Sequence, residues 1–365
     1  MMLSWEPITP SGVIVMAAGF FFFVALLWIG SEFLPGREEK GIVLPDGSQK
    51  TYKLNGLMLL LSVIVLVGAV TIADLSLAYL PKHVLAAFLV ANSFAVLLSF
   101  LLYAFGRHSG TETPGKPSGV IRALYYGVER NPTWLGVDLK FFSYRPSLIG
   151  LGLFNVSFAF LQYERHGYLT TEMVIYQLFY FGYIANYFQF EYGMIFTWDI
   201  IEERFGGMLV WGDYVYVPFF YSLPGWFLVD RLTPLPTPAL AALVTLYLVG
   251  FWLFRGANEQ KHAFRRNPKT TIWGGPPRVV GDRLLASGFW GIGRKLNYTG
   301  ELMIYCSWTL LCGFVSWVPY LLPMALAMLF VHRAFRDDRR CRAKYGALWD
   351  QYCKIARFRM IPFVY

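Results

Sequence analysis

The sequence has little charge, and this shortage excludes the ordinary class of soluble globular proteins. Only 15% of its 365 residues are Asp, Glu, Lys or Arg, whereas 56% are apolar. Soluble domains carry roughly 25% charged residues. The uncharged runs are continuous rather than alternating, which excludes a β-barrel. Because backbone polar groups in lipid must be satisfied within each segment, we expect an all-α polytopic membrane protein.

The sequence also lacks the residue spacings of common metal sites. It has five histidines and four cysteines, with no His-Glu-x-x-His motif and no Cys-x-x-Cys pair. Cys306 and Cys312 fall within an apolar run, where buried free thiols are the ordinary expectation. We therefore expect no metal in this protein.

The apolar runs predict about nine or ten transmembrane helices. The predicted spans are 12–34, 54–80, 83–106, 147–162, 170–189, 208–229, 235–254, 302–317 and 318–331. Segment 107–146 is expected to lie on the membrane surface, and segment 190–205 to be re-entrant or interfacial. With these spans most Lys and Arg residues fall in loops on one side, which the positive-inside rule makes cytoplasmic.

Three groups of basic and aromatic residues lie in the C-terminal part of the chain, outside most of the predicted spans. In the first group, Asn258, Lys261 and Arg265 share one face of a helix that leaves the membrane. Three donors on one face suit phosphate groups. The alternative is an ordinary basic helix end that lies against anionic lipid.

The second group lies in a glycine-rich stretch, 284–302, that we expect to form a loop. It also holds Arg294. Trp290 is suited to stack on a planar heterocycle, and Asn297 and Tyr298 are suited to hydrogen-bond a ring amide. The alternative is an interfacial aromatic residue beside a turn.

The third group follows the last predicted span. Arg333, Asp337, Cys341 and Tyr345 recur every fourth residue and so form one stripe of a helix. An arginine oriented by Asp337 suits a phosphate group, and the alternative is a surface ion pair. Together the three groups predict a site for an anionic dinucleotide.

Carboxylates and tyrosines inside the predicted bundle are a separate lead. Tyr183, Glu191, Asp199 and Asp213 fall at or near membrane depth. Intramembrane carboxylates are energetically unfavourable and often functional. The alternative for each is a structural pairing with a basic residue or a backbone group.

Several longer motifs resemble one family over nearly the whole chain. They include WDIIEERFGGMLVWGDYVYVPF (198–219), NEQKHAFRRNP (258–268), LLASGFWGIGRKLNYTGEL (284–302) and HRAFRDDRRCRAKYGALWDQYC (332–353). These motifs are similar to those of the sterol reductase family. That family includes the Δ14-sterol reductases, the Δ7 (7-dehydrocholesterol) reductases and the membrane domain of the lamin B receptor.

The resemblance implies NADPH bound in a cytoplasm-facing pocket of the C-terminal half. It also implies a sterol substrate that enters an adjoining pocket from the bilayer. The cofactor ligands carried over by position are Lys261, Arg265, Leu285, Trp290, Arg294, Asn297, Tyr298, Arg333, Asp337 and Tyr345. We expect one membrane domain over residues 1–365, with 1–254 forming the bundle and 255–365 the NADPH-binding half.

The implied reaction is saturation of a ring C=C bond by protonation followed by hydride transfer. Our candidates for the acid are Tyr183, Glu191, Asp199 and Asp213. The motifs favour a Δ14-sterol reductase, with Δ7 and Δ24(28) reductases as alternatives. Two readings from other classes are a membrane methyltransferase of the isoprenylcysteine type, using S-adenosylmethionine, and a non-catalytic sterol-binding protein.

The expected partners are the sterol and membrane lipids, with no obligate protein partner. The chromatin-reading extension of the lamin B receptor has no counterpart before the first span, so we expect no nucleic-acid partner. The expected location is the inner membrane of a bacterium or the endoplasmic reticulum of a eukaryote.

Overall fold

The computed structural model describes residues 6–43, 47, 49–108 and 118–364 and confirms the all-α class. The helices are α1 (Pro10–Phe33), α2 (Gly56–Ile72), α3 (Tyr79–Lys82), α4 (Val84–His108), α5 (Val120–Tyr126), α6 (Leu139–His166), α7 (Thr171–Gln189), α8 (Trp198–Ile201), α9 (Gly207–Trp211), α10 (Leu223–Val229), α11 (Thr237–Arg266), α12 (Phe289–Ile292), α13 (Leu296–Leu310), α14 (Leu321–Tyr345) and α15 (Ala347–Ile355). The 3₁₀ segments are Glu191–Phe196 and Val318–Tyr320.

Strands occur only as short antiparallel pairs within the described ranges. They are β1 (Arg37–Val43) with β2 (Gln49–Leu54), β3 (Thr133–Trp134) with β4 (Val137–Asp138), and β5 (Val279–Val280) with β6 (Leu284–Leu285). Each pair turns the chain between helices, and strand residues such as Tyr52 and Leu285 add to the buried clusters that the helices build.

The chain divides into two compact units, Met1–Asp230 and Arg231–Tyr365, called unit 1 and unit 2 below. The sequence-based division at 254/255 falls inside α11, which is one continuous helix. That the chain is one membrane domain stays a prediction.

Within the described residues, five helices are long and apolar enough to cross a membrane. They are Pro10–Phe33, Val84–His108, Leu139–His166, Thr237–Arg266 and the helical stretch Val318–Tyr345. The shorter helix Gly56–Ile72 is also apolar. These helices make the protein multi-pass, and the higher count of about nine or ten stays a prediction.

Two predicted boundaries in unit 1 are wrong. The supposed surface segment 107–146 already enters α6 at Leu139, where Asp138 accepts a hydrogen bond from Phe141 N at 3.0 Å and caps the helix. The predicted span 54–80 ends as α2 at Ile72. A helix that starts at residue 139 buries Phe142 instead of leaving it on the membrane surface.

The predicted span 208–229 is also wrong as a single helix. It consists of α9, a π-helical segment Gly212–Phe220 and α10. Pro218 has no N–H to donate within this segment, which disfavours regular α-helical bonding there. π-Helical segments occur often at functional sites, and this one carries Asp213.

In unit 2, α11 packs closely against α13. A Cβ on Gly250 would lie 2.8 Å from the carbonyl oxygen of Gly300, so the contact requires a residue without a side chain. The predicted loop 284–302 is wrong at the short helix α12 and again from Leu296 onward, where α13 begins. The first turn of α13 thus fixes residues that the sequence placed in a flexible loop.

Candidate functional site

Lys261 and Trp290 join the first two predicted groups in unit 2. The Lys261 ammonium lies 4.4 Å from the centroid of the Trp290 ring. The indole N–H donates to the carbonyl oxygen of Ala257 at 2.7 Å, and Leu285 belongs to the same buried apolar cluster. Trp290 therefore fastens its segment to α11 and carries a cation on its ring. Stacking of Trp290 on a cofactor ring stays a prediction.

Lys295 and Asp337 join the second group to the third. Their side chains form an ion pair and are 13% and 29% exposed, respectively. Burial lowers the pKa of Lys295, but the Asp337 carboxylate outweighs burial, and the net effect is a raised pKa. Lys295 is absent from the predicted ligand set. A lysine that pairs with an acid on a distant helix leaves no signal in local spacing.

Asn297 and Tyr298 connect the first turn of α13 with both neighbouring helices. The Asn297 amide donates to the side-chain oxygen of Asn258 on α11 at 3.3 Å. The Tyr298 ring stacks on Phe330 of α14, with ring centroids 4.9 Å apart. The three groups predicted separately therefore meet in one place. We call Lys261, Arg294, Lys295, Asn297 and Asp337 the basic cluster.

The remaining predicted ligands surround this cluster at different depths. Arg265 interacts electrostatically with Lys261, and Arg333 with Tyr298. Tyr345 packs instead against a second apolar cluster that includes Trp349 and Tyr352. The structure thus places Tyr345 farther along the α14 stripe, beside the C-terminal helix α15.

Unpartnered atoms test whether a cofactor fits the basic cluster. Among the described residues, the buried Asn297 Oδ1 and Thr299 Oγ1 have no hydrogen-bond partner. Buried polar atoms in native proteins are normally paired, so these atoms fit a ligand with donors and acceptors. Cations also outnumber the carboxylates with which they pair. The residues present therefore fit a phosphorylated dinucleotide.

In unit 1, Tyr144 links the candidate acids and was missed by the sequence reasoning. Its hydroxyl donates to Asp199 Oδ2 at 3.4 Å. Asp213, which is 8% exposed, interacts electrostatically with both Asp199 and Tyr144. We call Tyr144, Asp199 and Asp213 the acidic cluster. Its contact with Asp199 joins residues of two different elements, so only tertiary folding identifies Tyr144.

A cleft lies beside the acidic cluster. It is lined by Phe141, Tyr144, Leu148, Tyr187, Phe188, Glu191 and Met194 and is too narrow to hold a water molecule. The ring of Tyr183, itself 3% exposed, packs 5.2 Å from the ring of Tyr187. All four predicted acid candidates therefore surround one region of unit 1.

Lys140 fixes the backbone of the segment that carries Asp199. Its ammonium donates to the carbonyl oxygens of Asp199, Ile200 and Glu203 at 2.7, 3.0 and 2.8 Å. The residue is 1% exposed, and these bonds compensate for burying its charge. Lys140 therefore has a structural role that no sequence pattern indicated.

Glu191 is paired, as the alternative interpretation expects. Its carboxylate accepts from Arg145 Nε at 3.2 Å and from the backbone N–H of Gly56 at 2.9 Å. Burial raises the pKa of Glu191, and both partners act against that rise. Arg145 also donates to the carbonyl oxygen of Lys53 at 2.6 Å, so this network ties α6 to the start of α2.

The sequence analysis expects no metal, and the arrangement of possible metal ligands bears on that expectation. Across residues 6–43, 47, 49–108 and 118–364, no group of three His, Cys, Asp or Glu side chains is arranged to hold one. The expectation that the protein uses no metal stays a prediction.

Comparison with known proteins gives the family. The sequence model of the ergosterol biosynthesis ERG4/ERG24 family matches residues 10–365. The chain is 40% identical over 353 residues to a Delta(14)-sterol reductase of Arabidopsis thaliana, covering 94% of each chain. It is 40% identical over 339 residues to a Delta(14)-sterol reductase of Methylotuvimicrobium alcaliphilum, covering 91% of this chain and 79% of that one.

A third relative, Delta(14)-sterol reductase TM7SF2 of Mus musculus, is 35% identical over 351 residues. The match covers 93% of this chain and 84% of the mouse protein. These matches include unit 1 and unit 2 alike, and they confirm the family resemblance of the motifs. The chain belongs to the ergosterol biosynthesis ERG4/ERG24 family.

Proposed function

We propose that this protein is a Δ14-sterol reductase that uses NADPH. The observation that carries the proposal is 40% identity to a Delta(14)-sterol reductase over 94% of both chains. The basic cluster supports it, because its excess of cations and its unpartnered buried atoms suit a phosphorylated dinucleotide. The arginines of the predicted ligand set, Arg265, Arg294 and Arg333, suit S-adenosylmethionine poorly, since that cofactor is a sulfonium without phosphates.

When bound, NADPH supplies a hydride to the substrate. The cationic side chains of Lys261, Arg265, Arg294 and Arg333 bind its phosphates in this proposal. Asn297 and Tyr298 hydrogen-bond its ring amide, and Asp337 keeps Lys295 in place. Because this part of the chain is rich in Lys and Arg, we infer that the site faces the cytoplasm.

In this proposal the acidic cluster delivers the proton that makes an unactivated alkene reactive. Two carboxyls close together in an apolar interior can retain one proton at neutral pH. Asp213 sits on the irregular π-helical segment, interacts with Asp199 and is our first choice for the acid. Transfer of its proton to one alkene carbon leaves a tertiary cation on the neighbouring carbon, which is the acceptor for hydride.

Glu191 is a weaker choice, because its bonds from Arg145 Nε and from the backbone N–H of Gly56 both favour the ionised carboxylate. Tyr183 stays a candidate because its ring packs against the cleft residue Tyr187. The sterol enters from the bilayer in this proposal, so the narrow cleft has to widen when substrate binds.

The decisive experiment supplies purified protein with NADPH and a panel of Δ7, Δ14 and Δ24(28) sterols and identifies the products. We expect reduction of the Δ14 bond only. Reduction of another bond would keep the reductase class and correct the substrate. Sterol binding without NADPH oxidation would indicate a non-catalytic sterol-binding protein, and binding of S-adenosylmethionine instead of NADPH would indicate a methyltransferase.

A further inference from the structure

The C-terminal segment holds the part of the chain that carries Arg294. Gly293 pairs with Phe358 in a parallel β-bridge, and the backbone N–H of Arg294 donates to the carbonyl oxygen of Phe358 at 2.9 Å. The Tyr352 hydroxyl donates to the carbonyl oxygen of Trp290 at 3.0 Å. The backbone of 290–294 is therefore held by hydrogen bonds to Tyr352 and Phe358 of the C-terminal segment.

Asp338 lies beside the side chain of Arg294, at ion-pair distance but without a hydrogen bond to its Nε. Its Oδ1 lies 3.9 Å from Arg294 Nε and accepts a hydrogen bond from the Trp349 indole at 3.2 Å. Its Oδ2 lies 3.5 Å from the Arg359 guanidinium. The Asp338 and Arg294 side chains are only 13% and 11% exposed, so solvent screens this contact less than a surface pair.

The two adjacent aspartates of α14 therefore serve different cations. Asp337 pairs with Lys295, whereas Asp338 faces Arg294. A guanidinium carries five N–H donors, and one carboxylate beside Nε occupies only one edge of it. An arginine oriented along one edge presents the other donors in a fixed direction, which favours a bidentate contact with phosphate.

We propose that Asp338 is a positioning residue of the cofactor site, acting through Arg294 with help from Trp349. This inference rests on the proposed function, in which Arg294 binds a phosphate of NADPH. It assigns the C-terminal helix α15 a part in cofactor affinity, because Trp349 of α15 contacts Asp338. No residue of α15 is in the predicted ligand set.

The test compares NADPH binding by the full-length protein and by Asp338→Asn, using equilibrium dialysis. We expect the Kd and the KM for NADPH to rise about tenfold, the size of one charge-assisted hydrogen bond. The kcat at saturating NADPH should stay within about twofold, since a residue that only positions a ligand affects uniform binding. Asp338→Glu should recover part of the affinity.

Asp350→Asn is the matched control. Asp350 is also an aspartate of the C-terminal region, but it is 61% exposed and pairs with an equally exposed Arg342. We expect this variant to bind NADPH as the wild type does. If Asp338→Asn fails to fold, Trp349→Phe replaces it, because it removes the indole donor to Asp338 while keeping an aromatic ring and should raise the Kd by a smaller factor.

A double-mutant cycle tests whether Asp338 acts through Arg294. In an Arg294→Ala background, Asp338→Asn should add no further loss of affinity. Losses that multiply independently would overturn the inference, as would an unchanged Kd in folded Asp338→Asn. A wild-type protein that binds no NADPH would instead contradict the proposed function itself.

Discussion

The buried cations of unit 1 and the partly buried cations of the basic cluster in unit 2 are used in opposite ways. In unit 1, the buried cations are bonded to the protein: Lys140 donates to three carbonyl oxygens, and Arg145 to Glu191 and Lys53. In unit 2, Lys261 lies over an aromatic ring, and the Asp338 carboxylate lies 3.9 Å from Arg294 Nε, too far for a hydrogen bond.

The difference separates cations that build the fold from cations that suit a ligand. A buried cation whose donors are all used contributes to stability, and removing it leaves unsatisfied carbonyl groups. A cation among other cations, as Lys261 is beside Lys295 and Arg265, is a local repulsion that an anionic ligand relieves. Substitutions of these two kinds of cation should therefore change different measured quantities.

The largest expected effect is loss of turnover on replacing the acid. Asp213→Asn should lower kcat by about 10²–10⁴-fold, the usual contribution of general acid catalysis, and leave NADPH binding intact. Steady-state turnover and equilibrium dialysis measure the two quantities. Asp74→Asn is the control, because Asp74 is exposed and its φ of 56° is tolerated by asparagine.

The same assay on Tyr183→Phe, Glu191→Gln and Asp199→Asn identifies the acid if Asp213 is not it. Full activity in all four single variants would contradict the assignment of the proton to this region.

The next effect concerns stability in unit 1. Lys140→Met should lower the free energy of unfolding by about 3 kcal/mol or more, because it leaves three carbonyl groups without their donor. Thermal unfolding in detergent measures this loss. Lys82→Met is the control, since Lys82 pairs with Glu164 at a more exposed position and should matter by less than about 1 kcal/mol. Equal losses in both variants would remove the distinction drawn for unit 1.

The counterpart in unit 2 should be smaller and of a different kind. Lys261→Met should weaken NADPH binding about tenfold while leaving the thermal unfolding temperature of the ligand-free protein unchanged or slightly raised. The reason is that the substitution removes repulsion from Lys295 and Arg265. Lys269→Met, an exposed basic residue past the end of α11, should change neither quantity. A marked loss of stability in Lys261→Met would show that Lys261 builds the fold in the way that Lys140 does.

The same comparison explains what the sequence was able to predict. The Arg333–Tyr345 stripe and the Asn258–Arg265 face follow helical periodicity, so the sequence located them and the structure confirms both helices. The pairing of Lys295 with Asp337 and the link from Tyr144 to Asp199 join residues on different elements. Such contacts depend on tertiary packing and leave no periodic signal.

Span boundaries failed for a related physical reason. Lys140 and Arg145 made the start of α6 look like a surface loop, because isolated charges are disfavoured in an apolar interior. Both charges are in fact bonded, so the helix continues through them. Pro218 and Gly212 mark the broken segment 208–229, but hydropathy alone does not distinguish a π-helical segment from a regular span.

The smallest expected effect tests the Lys295–Asp337 ion pair through pH. Because the folded-state pKa of Lys295 is raised, its charge contributes stability below its unfolded pKa, and this contribution is lost as pH rises through the folded value. The difference in unfolding temperature between wild type and Lys295→Met should therefore be constant near neutral pH and shrink above about pH 10. Lys269→Met should show no such trend. A difference that stays constant into this alkaline range would mean that Lys295 gains nothing from Asp337, and that the carboxylate is instead available to the cofactor or to another cation.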